Sequence, residues 1–325
     1  MSKPFVIVTH ALPEEWISSI RNECETLIGP ENGEGLSPEL EMELARAEGL
    51  FTLLTDPVNQ AILEKAPNLK VVSNMAVGVD NIDLAACTSR KIPVGHTPGV
   101  LTEGTADLSM AILLALARRI PEASRDARKG KWTTWSPTGW LGGDLAGATI
   151  GIIGMGKIGQ SVAKRAHGFG MRVIYVSRTS KPEIEKAIGA KMVPFDHLLK
   201  TSDYISLHVP LTQETVKMIG RHEINKMKKS AYLINVSRGP VVNTDDLVNA
   251  LKKNTIAGAA LDVTDPEPLP PAHPLYQLPN CLITPHIGSA TYNTRRDMAK
   301  LACINLLTGL KGERLLHCVN PEVYS

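Results

Sequence analysis

Three polar residues in the second half of the chain have the types and placement that could reduce a carbonyl group. Arg238, Glu267 and His286 each come shortly after an apolar run that is typical of a buried strand. Ligands collect at the carboxyl ends of the strands in open α/β sheets, so these side chains could converge although they are far apart in sequence. A protonated His286 could donate a proton to a ketone oxygen as it becomes an alkoxide. Glu267 would hold the ring and favour its charged form, and Arg238 would bind a carboxylate with its planar fork.

A glycine-rich motif supplies the second candidate site. Residues 154–159, Gly-Met-Gly-Lys-Ile-Gly, match G-x-G-x-x-G, follow a strongly apolar run and open a helical pattern. Gly154 permits a tight turn, Gly156 lets the backbone approach a pyrophosphate, and Gly159 allows the helix to pack closely on the strand. We expect this motif to bind a dinucleotide through Gly154, Gly156, Lys157, Ile158 and Gly159.

The residues after the next apolar run bear on which dinucleotide binds. NAD-binding folds carry an acidic residue about 20 residues past the glycines, where it holds the ribose hydroxyls. This chain has Ser177, Arg178 and Thr179 there, with Lys181 close by. A hydroxyl and a guanidinium suit a 2′-phosphate. The pattern therefore favours NADP(H), while a solvent-exposed Arg178 with NAD(H) as cofactor stays open.

Composition excludes several classes of protein. The 325 residues suggest two domains, and 43% hydrophobic and 21% charged residues are ordinary globular values. The net charge of +2, from 35 basic and 33 acidic residues, disfavours nucleic acid as the main partner. The five cysteines are scattered, and we predict neither a disulfide framework nor a metal site. Without a span of the ~20 apolar residues that crossing a membrane needs, we expect no membrane partner and a cytoplasmic protein.

Apolar runs alternate with helical stretches along the chain, which indicates βαβ units and parallel sheets. The helical stretch 102–129 contains a segment that is apolar on nearly every side, which favours either deep burial or a subunit interface. The following loop, 132–143, holds three tryptophans and could fold on its own domain or reach a partner. The predicted strands are 5–8, 49–54, 69–73, 92–95, 149–153, 172–176, 204–209, 231–236, 257–263 and 281–284.

The chain resembles the D-isomer-specific 2-hydroxyacid dehydrogenase family along essentially its full length, and within it the glyoxylate/hydroxypyruvate reductases. The motifs that carry the family resemblance are Gly154-x-Gly-x-x-Gly159, Asn235-x-Ser-Arg-Gly239, Asp262-Val with Glu267-Pro268, and Pro285-His286-x-Gly288. Those that carry the closer resemblance are Asn74-Met-Ala-Val-Gly-Val-Asp80, Trp132-Thr-Thr-Trp135 and His286-Ile-Gly-Ser-Ala-Thr291.

The resemblance implies roles for residues in both halves of the chain. The implied catalytic residues are Arg238, Glu267 and His286. The implied further cofactor-binding residues are Thr105 beside the nicotinamide, Val209, Pro210 and Thr215 on the adenosine side, and Val236, Arg238, Asp262, His286 and Gly288. The implied substrate-binding residues are Leu54, Val77, Gly78, Trp135 of the other subunit, Arg238, His286 and Ser289.

The resemblance also implies an architecture and an activity. We expect two doubly wound parallel-sheet α/β domains around a cleft: a flavodoxin-like substrate domain, 1–98 and 290–325, and a Rossmann cofactor domain, 99–289. The expected activity is NADPH-dependent reduction of glyoxylate and hydroxypyruvate by a homodimer, with His286 as general acid. Two alternatives stay open: another short 2-keto acid reductase, NADH-using or of D-lactate type, and a dinucleotide-sensing protein like the family's corepressors.

Overall fold

The computed structural model describes residues 3–33 and 35–325. The described chain forms two compact units: the first runs up to Leu101 and resumes at Ala290–Ser325, and the second spans Thr102–Ser289. The assignment of 1–98 and 290–325 to substrate and of 99–289 to cofactor is a statement about function and stays a prediction. Within the described residues, no helix is both long and apolar enough to cross a membrane.

The strands of the described chain lie in two sheets, one in each unit. In chain order they are β1 Phe5–Val8, β2 Glu25–Ile28, β3 Gly49–Thr52, β4 Val71–Asn74, β5 Val94–Gly95, β6 Thr149–Ile153, β7 Arg172–Val176, β8 Lys191–Met192, β9 Tyr204–Leu207, β10 Tyr232–Asn235, β11 Gly258–Leu261 and β12 Cys281–Ile283. All ladders between these strands are parallel.

Helices connect these strands. In chain order they are α1 Glu14–Glu23, α2 Pro38–Met42, α3 Gln60–Lys65, α4 Leu84–Ser89, α5 Thr102–Ala117, α6 Ile120–Arg128, α7 Lys157–Gly168, α8 Pro182–Ile188, α9 Phe195–Thr201, α10 Arg221–Ile224, α11 Thr244–Lys252 and α12 Tyr292–Leu310. Short 3₁₀ turns occur at Leu44–Arg46, Gly239–Val241, Pro274–Gln277 and Pro321–Tyr324.

The strand orders confirm the predicted fold class. The first sheet runs β2-β1-β3-β4-β5, the flavodoxin-like order. The second runs β12-β11-β10-β9-β6-β7-β8, a Rossmann order with one strand added at the far edge. In this second sheet the strand order reverses between β6 and β9, which is where a doubly wound sheet places its ligand.

Both faces of the second sheet are buried. Along β10, Leu233 and Ile234 belong to different apolar clusters, and along β11 Ala259 and Ala260 alternate in the same way. Successive strand residues point to opposite faces, so each cluster covers one face. Helices α5 and α7 contribute to the first cluster, and α9 and α11 to the second. The all-round apolar character of α5 is thus explained mainly by burial inside its own unit.

The structure corrects several sequence-based bounds. The sequence pattern of residues 14–25 is helix-like, but α1 ends at Glu23, because Cys24 is extended and leads into β2. The helical stretch 102–129 is two helices, broken at Arg119, whose φ is +54°. Strands β2 and β8 were not predicted. Both form sheet edges and are partly exposed, so they lack the continuous apolar run that marked the other strands.

Candidate active site

The glycine turn after β6 has the shape that a dinucleotide phosphate requires. Gly154 has a φ of +99°, and a Cβ there would lie 2.5 Å from the carbonyl oxygen of His208. A Cβ at Gly159 would lie 2.1 Å from the Gly154 oxygen, so α7 can approach the turn only because glycine stands here. A Cβ at Gly156 would meet nothing within 4 Å, and Gly156 begins α7 without a side-chain cap. This open start of a helix fits a pyrophosphate.

Hydroxyl and basic side chains follow β7, the strand that pairs with β6 along its length. Ser177 is half-buried, whereas Arg178 and Thr179 are exposed. The Lys181 Nζ donates a hydrogen bond of 3.0 Å to Thr179 Oγ1, so a second cation belongs to the same cluster. The cluster lies where this fold places the adenosine ribose of a dinucleotide. Its charge suits an anionic substituent on that ribose.

An imidazole–carboxylate pair lies at the carboxyl edge of the same sheet. The His286 Nδ1 and Glu267 Oε1 are 2.5 Å apart, and both side chains are partly exposed. Burial opposes ionisation of Glu267. The hydrogen bond and charge of His286, the Thr264 amide and the charge of Arg238 outweigh burial, so the pKa of Glu267 lies below its usual value. A carboxylate on Nδ1 leaves Nε2 as the nitrogen that can exchange a proton with a substrate.

A buried carboxylate holds the loop that carries this imidazole, here called the histidine loop (residues 284–288). The Asp262 Oδ1 accepts from Thr284 Oγ1 at 2.6 Å and from the Ile287 amide at 2.8 Å, and Oδ2 accepts from the Gly288 amide at 2.8 Å. The Asp262 carbonyl also accepts from the His286 amide at 2.9 Å. These bonds maintain a φ of +50° at His286, a strained value for a residue other than glycine.

An asparagine side chain shapes the turn that presents the candidate arginine. The Asn235 Oδ1 accepts from the Ser237 amide at 3.0 Å and from its hydroxyl at 2.8 Å. Its Nδ2 donates to the Arg238 carbonyl over 2.9 Å. The Arg238 Nη1 donates to the Ser237 carbonyl over 2.8 Å. The guanidinium also acts electrostatically on Glu267, so the structure brings the three predicted catalytic residues into one region.

Two further predicted cofactor residues border this region. Thr105, buried on α5, lies against Gly288: a Cβ on that glycine would be 3.4 Å from the threonine methyl group. Val236 is buried and directly follows β10. Thr105 therefore lies beside the histidine loop, and Val236 lies just before the turn that carries Arg238.

The loop after β9 holds the other predicted cofactor residues. The Thr215 Oγ1 donates to the Pro210 carbonyl over 2.6 Å and closes this loop on itself. The Val209 side chain would lie 3.0 Å from a Cβ on Gly154. Since β9 pairs with β6, this loop flanks the glycine turn.

In the first unit, the predicted substrate residues lie on two loops, the Leu54 loop (residues 53–58) after β3 and the Gly78 loop (residues 75–81) after β4. Leu54 is 38% exposed. The Val77 carbonyl accepts from His96 Nδ1 at 2.9 Å, and the Gly78 carbonyl accepts from Asn74 Nδ2 at 3.0 Å. The C=O and N–H of a trans peptide point in opposite directions. These bonds therefore fix the direction of the Gly78 N–H and of the amide that follows it.

The tryptophan-rich segment (residues 132–143) packs on its own unit only through its last residues: the Arg119 guanidinium lies over the Trp140 ring, 5.0 Å from its centroid, and the Gly143 amide donates to the Ala117 carbonyl over 2.9 Å. Trp132 and Trp135 are 77% and 80% exposed.

Ser289, predicted to approach the substrate, directly follows the histidine loop at the end of the second unit. Within residues 3–33 and 35–325, no group of three His, Cys, Asp or Glu side chains has a geometry that could hold a metal ion.

A Rossmann sheet with a glycine turn, an imidazole–carboxylate pair and a nearby guanidinium define a dinucleotide-dependent oxidoreductase. Residues 110–288 match the family model of the D-isomer specific 2-hydroxyacid dehydrogenase, NAD binding domain. A glyoxylate reductase of Thermococcus litoralis is 49% identical over 99% of this chain and 98% of that protein. The chain therefore belongs to the D-isomer-specific 2-hydroxyacid dehydrogenase family, and its second unit is an NAD(P)-binding domain.

Solved structures support this membership over the full length. A protein of Thermus thermophilus superposes with a TM-score of 0.91 at 46% identity and covers 97% of this chain and 99% of its own. An NADPH-dependent glyoxylate/hydroxypyruvate reductase of Sinorhizobium meliloti, in complex with NADP and malonate, has a TM-score of 0.86 at 29% identity, with 99% and 98% covered. A D-lactate dehydrogenase of Aquifex aeolicus, complexed with NAD and lactic acid, has the same TM-score and identity, with 97% and 99% covered. Similar proteins thus include complexes with either cofactor.

The sequence motifs indicate the side chains with reactive groups but not those that support them. Asn235 is only one member of a motif, and Asp262 is expected to bind the cofactor, with no indication that it also anchors the histidine loop. The hydrogen bonds of the Asn74 and His96 side chains are not predicted either. The available signal was a polar residue at or just after the end of an apolar strand, because such residues are well placed to bond the loop that follows.

Proposed function

We propose that this chain reduces glyoxylate and hydroxypyruvate to glycolate and D-glycerate with NADPH. A bound nicotinamide dinucleotide would supply the hydride. His286 would give the proton from Nε2 to the carbonyl oxygen as negative charge develops there, and Glu267 would hold the ring through Nδ1. The observation that carries this proposal is the 2.5 Å pair of Glu267 with His286, whose loop is anchored by Asp262. The named relative from Thermococcus litoralis supports glyoxylate as a substrate.

Substrate binding is proposed to use side chains of one unit and backbone of the other. Arg238 would pair with the keto acid carboxylate through its planar fork. The amides of Val77 and Gly78 would also bind the carboxylate, and Leu54 and Ser289 would line the substrate. Glyoxylate and hydroxypyruvate are small, so a pocket of this kind would select substrates by size.

For the cofactor we propose NADP(H) over NAD(H). The support is the cluster after β7: a half-buried Ser177, the exposed guanidinium of Arg178 and the Lys181 ammonium held on Thr179. These groups would bind a 2′-phosphate by charge-assisted hydrogen bonds. Thr105, Val236 and Asp262 would contact the nicotinamide, and Val209, Pro210 and Thr215 the adenosine side.

We also propose a cytoplasmic homodimer, in which Trp135 of one subunit reaches the substrate pocket of the other. Two tryptophans with about four fifths of their surface exposed are unusual for a single subunit, and they favour an intersubunit contact. All five cysteines are free thiols, which suits a reducing compartment. Light scattering coupled to gel filtration should give twice the 35.1 kDa chain mass. A monomer at micromolar concentration would overturn the dimer.

The direct test is the loss of nicotinamide absorbance with NADPH and, in parallel, glyoxylate, hydroxypyruvate or pyruvate, repeated with NADH. We expect fast oxidation of NADPH by the first two acids. Oxidation only with pyruvate would indicate a D-lactate-type enzyme, and oxidation only of NADH would reject the proposed cofactor. Tight NADPH binding without turnover of any acid would favour a dinucleotide-sensing protein.

A further inference from the structure

A partly buried side-chain amide joins the two loops that carry the proposed substrate residues. The Asn81 Nδ2 donates to the Leu53 carbonyl over 3.0 Å and to the Asp56 carbonyl over 2.8 Å. Asn81 belongs to the Gly78 loop, and both acceptors belong to the Leu54 loop. The two bonds lie on either side of Leu54 in sequence, so the position of this exposed leucine is set from the neighbouring loop.

The oxygen of the same amide is bound by a second asparagine. The Asn74 Nδ2 donates to Asn81 Oδ1 over 3.2 Å and to the Gly78 carbonyl over 3.0 Å. Asn74 is in turn oriented by Thr52, whose Oγ1 donates to Asn74 Oδ1 over 3.0 Å. Thr52 and Asn74 are completely buried. A buried polar chain with its amide groups bonded in this way rigidifies what it connects.

Each loop also has its own anchor. The Asp56 carboxylate, fully buried, accepts from the Leu53 amide at 2.7 Å and from the Thr9 hydroxyl. The His96 ring holds the Val77 carbonyl, and because a carbonyl only accepts, the proton lies on Nδ1. Burial lowers the pKa of His96 despite this bond, so the ring stays neutral at neutral pH. The loops are therefore separately ordered, and the Asn81 side chain acts on their spacing.

The backbone joins the loops as well, where the Val58 amide donates to the Asn81 carbonyl over 2.9 Å. That contact lies at the far end of the Leu54 loop. The side-chain amide supplies the link on both sides of Leu54 and, through Asn74, on the carbonyl of Gly78. Loss of the Asn81 side chain should thus leave the sheet intact and change the distance between the Leu54 side chain and the Gly78 amide.

We propose that Asn81 is a positioning residue for substrate binding, which sets Leu54 and the Gly78 loop at the spacing of a small 2-keto acid. This inference rests on the proposed function, which assigns these loops to the substrate. Asn81 itself would not touch the substrate. It would act through the two loops, as Asn74 and Thr52 would act through Asn81.

The test compares Asn81→Ala with wild type on glyoxylate and NADPH. We expect KM for glyoxylate to rise about tenfold, as for the loss of roughly one well-placed contact. The Kd of NADPH should stay within twofold, because the glycine turn belongs to the other unit, and kcat should change less than KM. Thr52→Val is the milder variant: it removes only the hydroxyl that orients Asn74 and should raise KM by about two- to threefold.

Asn320→Ala is the matched control. Asn320 is a buried asparagine of the same unit, and its Nδ2 donates to Thr88 Oγ1 and to the Ile92 carbonyl, both over 3.0 Å. Its loss should lower Tm without changing KM. An unchanged KM in both Asn81→Ala and Thr52→Val would overturn the inference. So would an equal rise in KM in Asn320→Ala, because the effect would then be one of general stability.

Failure of the proposed function can be told apart from failure of this inference. If wild type reduces a different 2-keto acid, the same variants are compared on that acid. If wild type turns over no acid, the readout is the Kd of oxalate, a dicarboxylate shaped like glyoxylate, for the NADPH-loaded protein. Weaker oxalate binding in Asn81→Ala than in Asn320→Ala supports the inference, and equal binding overturns it.

Discussion

The carboxyl edges of the two sheets use buried polar residues in different ways. In the second unit, buried Asp262 and Asn235 hold loops so that the side chains of His286, Glu267 and Arg238 are available for chemistry. In the first unit, buried Asn74 and partly buried Asn81 bind backbone carbonyls. The groups that this unit is proposed to offer the substrate are the Leu54 side chain and the backbone amides of the Gly78 loop. In the proposed function, the edge of the second sheet carries the reacting side chains, and the edge of the first sheet binds the substrate carboxylate and selects substrates by size. The predictions below test that division.

The largest effect is expected where a side chain donates the proton. His286→Ala should lower kcat by about 10²- to 10⁴-fold, since a general acid contributes that much. Binding of NADPH, followed by fluorescence titration, should stay close to that of wild type. His197→Ala, an exposed histidine on α9, is the control and should leave kcat unchanged. A fall of less than threefold in the His286 variant would remove it from this role.

Cofactor preference should respond next most strongly. Ser177→Asp places a carboxylate where the 2′-phosphate would bind, so the ratio of kcat/KM for NADPH over NADH should fall about 100-fold. Ser180→Asp adds the same charge on a nearby exposed residue and should change the ratio far less. Equal ratios in the two variants would mean that Ser177 does not contact the ribose.

The anchor of the histidine loop should affect both stability and rate. Asp262→Asn offers an NH₂ group to a site lined by donors, so the free energy of unfolding should fall by about 2–3 kcal/mol. The rate kcat should fall as well, because the loop no longer maintains the strained backbone of His286. Thr284→Val removes one of the bonds and should cost about 1 kcal/mol. Urea unfolding would measure the free energy of unfolding of both variants. An Asp262→Asn variant with unchanged stability and kcat would show that other contacts hold the histidine loop.

The smallest effect is a pH dependence of stability. The pKa of Glu267 lies below its ordinary 4.5, so its ionised form is favoured by folding. Its contribution is complete above the ordinary value and is lost as pH falls through the lowered one. The difference in unfolding free energy between wild type and Glu267→Gln should shrink as the pH falls below 4.5. A difference that grows in acid would contradict the lowered pKa.

The same division explains what could be read from the sequence. The candidate site of the second unit was predicted from the spacing of the glycines and from Arg238, Glu267 and His286, each of which follows an apolar strand. Residue types that can react are easy to recognise in a motif. The alternation of apolar runs predicted parallel α/β sheets, and the family resemblance added the flavodoxin-like and Rossmann orders. Strands β2 and β8 were not predicted, because edge strands need no continuous apolar run. The roles of Asn74, Asn81 and Asp262 could not be predicted: an amide or carboxylate that bonds backbone has no fixed spacing, and its partner is set by the tertiary fold.

The proposed reaction is tested most directly by a single turnover of the NADPH-loaded enzyme mixed with glyoxylate, in H₂O and in D₂O. We expect rapid oxidation of one NADPH per site, slower in D₂O because His286 would donate a proton in the same step. We also expect His286→Ala, mixed in the same way, to lose this phase. Rapid oxidation that survives in His286→Ala, or no oxidation of NADPH by wild type, would contradict the proposed role of His286.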